Sequence, residues 1–368
     1  MVPASLFRGY ASMRLERLRI QGLRCLADLE LEFGSGVHML TGPNGAGKTS
    51  VLEAAYLLSH GRSFRTGSRD ALLQRGASGL HIFSEWRNAE DRALRLGLGR
   101  TGQRWTARLD GETVSLGELI GACAVVCFEP GSHGLIAGAA DERRRFLDWG
   151  VFHVEHDFLA TWRRYQRALK QRNALLRDAS AVQEALFVPW EFELAESAMV
   201  LDTWRKAYLS ALRPHIERHT LALLPELGVS TLRYRVGWPD DRDLAEVLAS
   251  NRARDKARGH TSHGVHRADW SISFEEAPLR EHLSRGQEKL TALCCLLAQA
   301  SLMAEMRGAW PLVCLDDLAS ELDRAHQEQL LGLLCACGAQ VLMSGTEVPE
   351  SAKTTSMHVF HVEHGQIL

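Results

Sequence analysis

The sequence predicts an α/β fold with an antiparallel β subdomain and an inserted, mainly helical second domain. Three observations lead to this prediction. An apolar run at 37–41 leads into a glycine-rich loop and a helical pattern, residues 80–119 alternate between apolar and polar, and residues 141–225 have helical periodicity with few glycines. Strand-like apolar runs then return, so α/β segments bracket the helical middle of the chain.

The elements follow in chain order from these patterns. Two alternating strands are expected at 14–21 and 28–33, a helix at 48–60, and a hairpin turn at Asp110-Gly111 within an antiparallel sheet over 80–119. Beyond the helical middle, the periodicity predicts strands at 232–236, 270–274 and 311–315, helices at 284–306 and 323–337, and a last core strand at 340–344.

These elements suggest a domain organisation. We expect residues 1–12 to be an N-terminal extension, because the first strand pattern begins after Met13. The α/β part would be formed by 13–140, with the β subdomain, and by 263–368, and the mainly helical lobe by 141–262.

The composition is that of an ordinary globular protein. The chain has 368 residues, a net charge of −2, 45% hydrophobic residues and 24% charged residues, which allows two domains. The absence of a run of about 18 apolar residues argues against a membrane span. The balanced charge argues against a uniformly basic protein that coats nucleic acid. The eight cysteines lack disulfide or zinc-ribbon spacing and are interpreted as buried free thiols of a cytoplasmic protein.

The strongest motif lies between the predicted strand at 37–41 and the helix at 48–60, the context that a phosphate-binding GxxxxGK[ST] loop requires. Its glycines let backbone N–H groups surround an anion, and the helix N-terminus adds a positive dipole. Lys48 would act in catalysis at the β- and γ-phosphates, and the Thr49 hydroxyl would ligate Mg²⁺. The alternative is a glycine-rich turn with an exposed lysine. The motif consists of Gly42, Pro43, Asn44, Gly45, Ala46, Gly47, Lys48 and Thr49.

A second motif ends the predicted strand at 311–315 with two acids, Asp316 and Asp317. The carboxyl end of a strand is where α/β sheets bind ligands. Asp316 would hold Mg²⁺ directly or through water, and Asp317 would orient or deprotonate an attacking water. A solvated acidic turn is the alternative, and the presence of the phosphate loop favours the metal role.

A third motif, Leu283-Ser284-Arg285-Gly286-Gln287, begins a helix. Ser284 can be an N-cap and Gln287 can complete a capping box. The serine hydroxyl, the Gly286 amide and the helix N-terminus can also form a second anion site. Both interpretations can hold together.

Together these residues resemble the ABC-type ATPases, with a Walker A loop at 42–49, a signature loop at 284–287, a Walker B strand at 312–317 and a D-loop at 320–323. The resemblance implies an ATPase head of the ABC/SMC type and nucleotide contacts from Ser284, Gly286, Gln287 and Asp323. More narrowly, the chain resembles the RecF family of the SMC branch. The segments that carry this resemblance are 61–65, 144–148, 169–173, 283–287 and 316–323.

This resemblance implies a function. Two heads would bind ATP and Mg²⁺ between them as a homodimer, and slow, DNA-stimulated hydrolysis of ATP would separate the two subunits. Such a protein would bind gapped or single-strand/double-strand junction DNA. With RecO and RecR it would help to load RecA in DNA repair and replication restart, in the cytoplasm and at the nucleoid when on DNA.

The basic residues form three clusters that suit phosphate contacts without base readout, or that are simply solvated faces. The clusters are Arg163, Arg164, Arg167, Lys170, Arg172 and Arg177; Arg252, Arg254, Lys256, Arg258 and Arg267; and Arg62, Arg65 and Arg69.

Other functions stay open at this point. One is an SMC-like DNA clamp without junction preference, another an ABC transporter ATPase subunit, and a third a P-loop kinase of small molecules. Residues 344–346 lack the switch histidine of transporters, no Q-loop glutamine is evident near 128–130, and Asp317 is shorter than the usual glutamate. The shorter acid predicts slow hydrolysis.

Overall fold

A computed structural model describes residues 11–65, 70–88, 90–178, 183–352 and 356–368. The chain forms two compact units. The first comprises Met1–His133, His215–Glu226 and Leu283–Leu368, and the second comprises Gly134–Pro214 and Leu227–His282. The domain limits expected at 140/141 and 262/263 stay a prediction, and residues 1–10 of the expected extension lie outside the described residues.

The strands of the described chain are Ala11–Ser12 (β1), Arg14–Leu23 (β2), Leu26–Glu32 (β3), Val37–Thr41 (β4), Gly79–Arg87 (β5), Ala93–Thr101 (β6), Arg104–Leu109 (β7), Glu112–Val114 (β8), Val125–Phe128 (β9), Ser230–Arg235 (β10), Asp269–Phe274 (β11), Ala309–Trp310 (β12), Leu312–Leu315 (β13), Val341–Ser344 (β14), Met357–Glu363 (β15) and Gln366–Ile367 (β16).

The α-helices are Lys48–His60 (α1), Leu116–Ala122 (α2), Gly134–Ala137 (α3), Ala140–Val154 (α4), Phe158–Arg177 (α5), Val188–Leu223 (α6), Leu244–Ser250 (α7), Arg252–Arg258 (α8), Arg285–Arg307 (α9), Leu318–Glu321 (α10) and Arg324–Ala336 (α11).

The first unit contains a six-stranded sheet in the order β16-β15-β4-β14-β13-β9. All neighbours from β15 to β9 are parallel, and only β16 is antiparallel, at the edge. Every residue of β4, β9, β13 and β14 is buried, as expected for parallel strands covered on both faces. Because these strands run in one direction, their carboxyl ends meet at one edge.

A second six-stranded sheet of this unit, in the order β3-β2-β5-β6-β7-β8, is antiparallel throughout. It is the β subdomain expected from the alternating pattern, and Leu109 pairs with Glu112 across the Asp110-Gly111 turn. Helix α1 packs between the two sheets, with Val51, Leu52 and Leu58 fully buried.

Two expectations for the first unit need correction. Residues 116–119 are helical rather than extended, because Ser115 and Glu118 form a capping box that starts α2. The strand at 341–344 is not the last of the core, since β15 joins the sheet beside β4, with Val359 opposite Met39. Two histidines, His358 and His361, interrupt the apolar residues of β15 and weaken the strand pattern in its sequence.

The second unit contains α3, α4, α5, α7 and α8, the part of α6 up to Pro214, and the antiparallel pair β10–β11. Bidentate ion pairs stabilise this second unit. Arg205 binds Asp148 at 2.8 and 2.9 Å, and Arg143 binds Asp269 at 2.7 and 3.1 Å. The arginine-rich segment at 144–148 therefore contributes to the internal structure of this unit.

Helix α9 is long and apolar enough, by length and composition, to cross a membrane, and no other helix of the described residues meets that test. Most of α9 is buried within the protein, with Leu293, Cys294, Cys295 and Ala298 at its inner face. Core helices of globular proteins have this same character.

Candidate functional site

The glycine loop at 42–47 leaves β4 and enters α1 in a conformation that requires glycine. Gly42 has φ 140° and Gly47 has φ 116°, in the region that L side chains rarely adopt. A Cβ on Gly42 would lie 2.0 Å from the carbonyl oxygen of Val362, and one on Gly47 would lie 2.6 Å from Cδ2 of Leu26. Gly47 is also the N-cap of α1 and provides no side-chain cap, so the first amides of α1 are left for a ligand.

Lys48 lies over this loop. Its Nζ donates to the carbonyl oxygens of Gly42 at 2.7 Å and Pro43 at 2.8 Å, and the side chain is buried. Burial lowers the Lys48 pKa from its ordinary value, and the nearby Asp317 and Asp316 act in the opposite direction. The ammonium group is therefore held at the loop, partly desolvated, where a phosphate would exert a strong attraction.

The Walker B acid meets the loop from the neighbouring strand end. The Thr49 hydroxyl donates to Oδ1 of Asp316 at 2.9 Å, and the Ser344 hydroxyl donates to the same oxygen at 2.5 Å. Burial raises the Asp316 pKa, these two hydrogen bonds lower it, and Asp317 raises it further. Strands β13 and β14 and helix α1 thus bring oxygens of Asp316, Ser344 and Thr49 together at the sheet edge. The sequence motifs predicted Asp316 and Thr49 but not Ser344.

Asp317 follows in the left-handed region, with φ 51°. Its backbone N–H donates to the Ser344 carbonyl at 3.1 Å and to the Ser344 hydroxyl at 3.2 Å. Ser344 therefore fixes both acids. It is a site residue that the sequence motifs did not reveal.

Glu129 is a second residue that the motifs missed. Phe128 pairs with Leu315 in the register of β9 and β13, so Glu129 follows its strand beside Asp316, and both line the same cleft. Its carboxylate accepts from the Gly131 N–H at 2.6 Å. Burial raises the Glu129 pKa, the Gly131 hydrogen bond lowers it, and Asp316 raises it. The residue occupies the position where a Q-loop glutamine was not evident.

A cleft of about 870 Å³ joins these groups. Arg24 lines it, and its guanidinium is fixed by Glu53 at 2.7 and 2.9 Å and by the Ala71 carbonyl at 2.6 Å. Arg65, from the predicted basic cluster, also lines the cleft. The cleft is lined by Arg24, Cys25, Asn44, Gly45, Gly47, Lys48, Thr49, Ser50, Phe64, Arg65, Ala71, Leu73, Arg75, Glu129, Pro130, Gly131, Asp316, Asp317, Ser344, Gly345 and Thr346.

The donor set of the cleft fits Mg²⁺ bound together with phosphates. Within the described residues, no group of three or more His, Cys, Asp or Glu side chains could hold a metal by itself. Mg²⁺ takes oxygen ligands, one or two of them carboxylates, and completes its shell with phosphate oxygens and water. The Thr49 hydroxyl and the Asp316 carboxylate, 2.9 Å apart, meet that need.

The signature residues lie elsewhere in the first unit. Ser284, Gly286 and Gln287 are not among the residues that line the cleft. Ser284 is the exposed N-cap of α9, and its hydroxyl accepts from the Gln287 N–H at 3.2 Å while Gln287 Oε1 accepts from the Ser284 N–H at 3.0 Å. The predicted capping box is thus present, and the anion role stays a prediction.

Asp323 is also outside the cleft lining. It is the N-cap of α11, where it accepts from the His326 backbone N–H at 3.1 Å and contacts His326 Nδ1 at 2.6 Å. These bonds lower the Asp323 pKa. A role toward nucleotide stays a prediction for this residue as well.

The predicted basic clusters separate into paired and unpaired residues. Arg172 is fully buried, Arg164 pairs with Glu193, and Arg252 pairs with Glu191. Arg69 lies outside the described residues. Besides Arg164, the exposed members in the second unit are Arg163, Arg167, Lys170, Arg177, Arg254, Lys256, Arg258 and Arg267.

Comparison with known proteins shows the family to which the chain is similar. Residues 14–367 match the family described as RecF/RecN/SMC N terminal domain. A protein named DNA replication and repair protein RecF from Xanthomonas oryzae pv. oryzae is 51% identical over 363 residues, covering 96% of this chain and all of the relative. The RecF protein of Stenotrophomonas maltophilia is 49% identical, covering 97% and 99%, and that of Pseudomonas entomophila is 39% identical, covering 96% and 98%.

Solved structures agree with the fold. A structure described as the recombination mediator protein RecF with ATP, in the RecFOR pathway, superposes with a TM-score of 0.88 at 24% identity, covering 98% of both chains. An Smc head domain of Pyrococcus furiosus superposes with a TM-score of 0.56 at 14% identity, covering 97% and 96%. The fold is thus that of an ABC/SMC-type ATPase head with an antiparallel β subdomain and a helical insertion, and the chain belongs to the RecF family of DNA replication and repair proteins.

Proposed function

We propose that this protein is an ATP-dependent, DNA-binding recombination mediator. It dimerises on ATP, binds gapped or single-strand/double-strand junction DNA, and helps RecO and RecR to load RecA in DNA repair and replication restart. The observation that carries the proposal is the cleft of the first unit, where the glycine loop, Lys48 and Asp316 meet at one sheet edge. RecF relatives about half identical over nearly the whole chain support it.

In this proposal the cleft binds ATP with Mg²⁺. The uncapped amides of α1 receive phosphate oxygens, and Lys48 exchanges its bonds to Gly42 and Pro43 for bonds to the β- and γ-phosphates. Thr49 and Asp316 hold the cation, which supplies positive charge beside the phosphates. Asp317 orients the attacking water, and Glu129 adds a third carboxylate beside Asp316. The short side chain of Asp317 favours slow hydrolysis, and in this proposal DNA stimulates it.

The proposed dimer completes this site. Ser284, Gly286, Gln287 and Asp323 stand outside the cleft of their own chain, so they are available to a second copy. The γ-phosphate would then contact Lys48 of one subunit and the signature helix of the other. That differential contact exists only in the triphosphate state, which makes ATP favour the dimer and hydrolysis favour release.

DNA binding in this proposal depends on phosphate contacts rather than on base readout. With a net charge of −2, the whole chain has no general attraction for DNA, so local cations and the paired surface of a dimer must provide it. Binding is therefore expected to weaken steeply with salt. The protein would act in the cytoplasm, associated with the nucleoid when on DNA.

The decisive experiment measures mass by light scattering with and without ATP and Mg²⁺. We expect the wild-type protein to double its mass with ATP and not with ADP, and Asp316→Ala to remain a monomer. An unchanged mass of the wild type under all nucleotides would refute the proposed dimer.

A second experiment separates the mediator from an SMC-like clamp. Affinity is compared between a gapped duplex and an intact duplex of equal length, in ATP. We expect the gapped duplex to bind more tightly, whereas equal affinities would indicate a clamp without junction preference.

A further inference from the structure

We propose that the second unit carries a contact surface for the sugar-phosphate backbone of double-stranded DNA, formed by α5 and α8. We call it the α5–α8 basic face. This inference rests on the proposed DNA-binding function and assigns that function to particular residues. The face consists of Arg163, Arg167, Lys170 and Arg177 on α5 and Arg254, Lys256 and Arg258 on α8, all exposed.

The cations of α5 form one stripe. Arg163, Arg167, Lys170 and Arg177 follow each other at spacings of four, three and seven residues, which keeps them on one side of a helix. With a rise of about 1.5 Å per residue, the stripe is about 21 Å long. That length corresponds to about six phosphates of one DNA strand at about 3.4 Å of axial rise each.

Helix α8 extends the stripe sideways. It packs against α5, and a Cβ on Gly259, the C-cap of α8, would lie 3.4 Å from Cγ of Arg177. The carboxyl ends of the two helices therefore meet. Arg254, Lys256 and Arg258 of α8 are all exposed, and Arg254 and Arg258, four residues apart, share one side of the helix. The packing of α8 against α5 brings the α8 cations beside the α5 stripe.

Buried ion pairs keep acids away from this face. Between residues 158 and 177, α5 contains no Asp or Glu, with Asp157 and Asp178 just beyond its ends. The single acid of α8, Asp255, is fully buried, where it accepts from Arg172 at 2.7 Å and from the Ser262 N–H at 3.1 Å. An Arg172 that is itself fully buried thus removes the one carboxylate that would neutralise the α8 cations.

The same network accounts for the neighbouring acid on α6. Glu191 accepts from Arg172 at 3.1 Å and from Arg252 at 3.0 Å. The Arg172 guanidinium also donates to Thr261 at 2.9 Å and to the Leu248 carbonyl at 2.9 Å. Arg172, in the segment at 169–173 that sequence resemblance singled out, therefore positions α8 beside α5, whereas Lys170 of the same segment is exposed on the basic face.

The chemistry of the face favours duplex DNA over a protein. Interfaces with proteins usually carry buried aromatic or aliphatic anchors. None of the exposed large apolar side chains of the described residues belongs to α5 or α8; those of the second unit include Leu186, Val188, Phe192, Met199 and Val200. A row of cations without apolar anchors suits a phosphate backbone instead.

The chemistry of the α5–α8 basic face also favours duplex DNA over single-stranded DNA. Single-strand binding uses aromatic side chains as stacking platforms. The aromatic residues of α5 are Phe158 and Tyr165, which are buried, and Trp162, which is half-buried. The face therefore offers charge at regular spacing and no exposed ring on which a base could stack.

The test is a salt titration of DNA binding by the full-length protein in the presence of ATP. The variant R163Q/R167Q/K170Q removes three cations of the α5 stripe. We expect it to bind an intact 30-base-pair duplex at least about tenfold more weakly, and to lower the slope of log affinity against log salt by about 2 to 3, since each phosphate contact contributes about 0.9.

A matched control has the same change in net charge. The variant R145Q/R164Q/K206Q removes three exposed cations of the second unit that each pair with an acid. We expect its slope and affinity to equal those of the wild type. If both triple variants lose affinity equally, the effect comes from net charge and the inference is wrong.

A second variant keeps the test independent of one helix. R254Q/K256Q/R258Q changes α8 alone and should also lower the slope. Wild-type slopes and affinities for both α5 and α8 variants would overturn this inference while leaving the proposed function intact. Failure of the wild-type protein to bind any DNA would overturn both. Selective loss of single-strand binding, with duplex binding unchanged, would contradict the assignment to duplex.

Discussion

The N-termini of α1 and α9, both of which the sequence predicts to contact nucleotide, are capped in different ways. The α1 terminus has a glycine N-cap with no side-chain cap and lies in the cleft. The α9 terminus has a full capping box from Ser284 and Gln287 and is exposed. A helix end that binds a ligand within its own chain can leave its amides open. A helix end whose ligand would be held by another molecule needs its amides hydrogen-bonded within its own chain while the protein is a monomer.

The largest expected effect tests the α1 end. Lys48→Ala removes a buried ammonium that two carbonyls of the loop hold in place. We expect ATP affinity to fall by about 2–5 kcal/mol, or about 30-fold or more, as measured by titration calorimetry, with loss of ATP-induced dimerisation. Lys206→Ala, at an exposed lysine of the second unit, is the control and should bind ATP normally. Normal affinity of Lys48→Ala would remove the central role of this end.

A pair of glycine substitutions compares the two ends directly. Gly47→Ala places a side chain at φ 116° and 2.6 Å from Leu26, which should destabilise the fold by about 1–3 kcal/mol. Gly286→Ala meets nothing nearer than Ser284 Oγ at 3.9 Å, so stability should change by less than about 1 kcal/mol. Thermal unfolding measures both. Equal losses of stability would show that the α9 end is as constrained as the α1 end.

Substitutions of Ser284 separate its cap from its proposed contact with nucleotide. Ser284→Ala should lower stability by about 1 kcal/mol through loss of the cap, whereas Ser284→Asp keeps a cap. Both should bind ATP as monomers, and both should weaken the ATP-induced dimer, since Asp would repel the γ-phosphate. The readout is light scattering over a range of protein concentration. Loss of ATP binding by the monomer would contradict a role across subunits.

The smallest expected effect is the pH dependence of stability that comes from two aspartates, Asp316 and Asp323, whose pKa values shift in opposite directions. Burial raises the Asp316 pKa in the folded state, so its stabilising contribution is complete below the unfolded value near 3.8 and is lost as the pH rises through the folded pKa. Asp316→Asn should therefore raise the melting temperature at neutral pH, without nucleotide, and the gain should vanish in acid. It should also remove any stabilisation by Mg²⁺ with ATP.

The pKa of Asp323 shifts in the opposite direction, because hydrogen bonds to His326 lower it. Its contribution is present above the ordinary aspartate value and is lost as the pH falls through the folded pKa. The side chain is 64% exposed, so Asp323→Asn should lower the melting temperature only slightly at neutral pH. Shifts of the same sign for the two variants would contradict these assignments.

Sequence patterns predicted the parts of the site that are local. The loop at 42–49 and the acids at 316–317 are readable because motif, strand and helix are contiguous. Glu129 and Ser344 were not readable, since each reaches the cleft through the order of strands β9, β13 and β14, which pairs residues far apart in the chain. Arg65 was assigned to a basic cluster because nothing local shows that it lines the cleft.

The fold shows the same division. The antiparallel sheet and the buried parallel strands followed from alternation and from apolar runs. Strand β15 was missed because its pattern is weak alone and its partner, β4, lies about 300 residues earlier. In the second unit, the segment at 169–173 was recognised by resemblance, yet only the structure shows Arg172 buried against Asp255 and Glu191.

The contact between the glycine loop and strand β15 has a consequence for biosynthesis. The Val362 carbonyl lies against Gly42, and the Gly365 N–H donates to the Ala46 carbonyl at 2.9 Å. The ribosome makes the loop about 300 residues before these partners. At about 5–20 residues per second, this is a delay of about 15–60 s. We therefore expect the glycine loop of a nascent chain to lack both contacts until translation has passed residue 365.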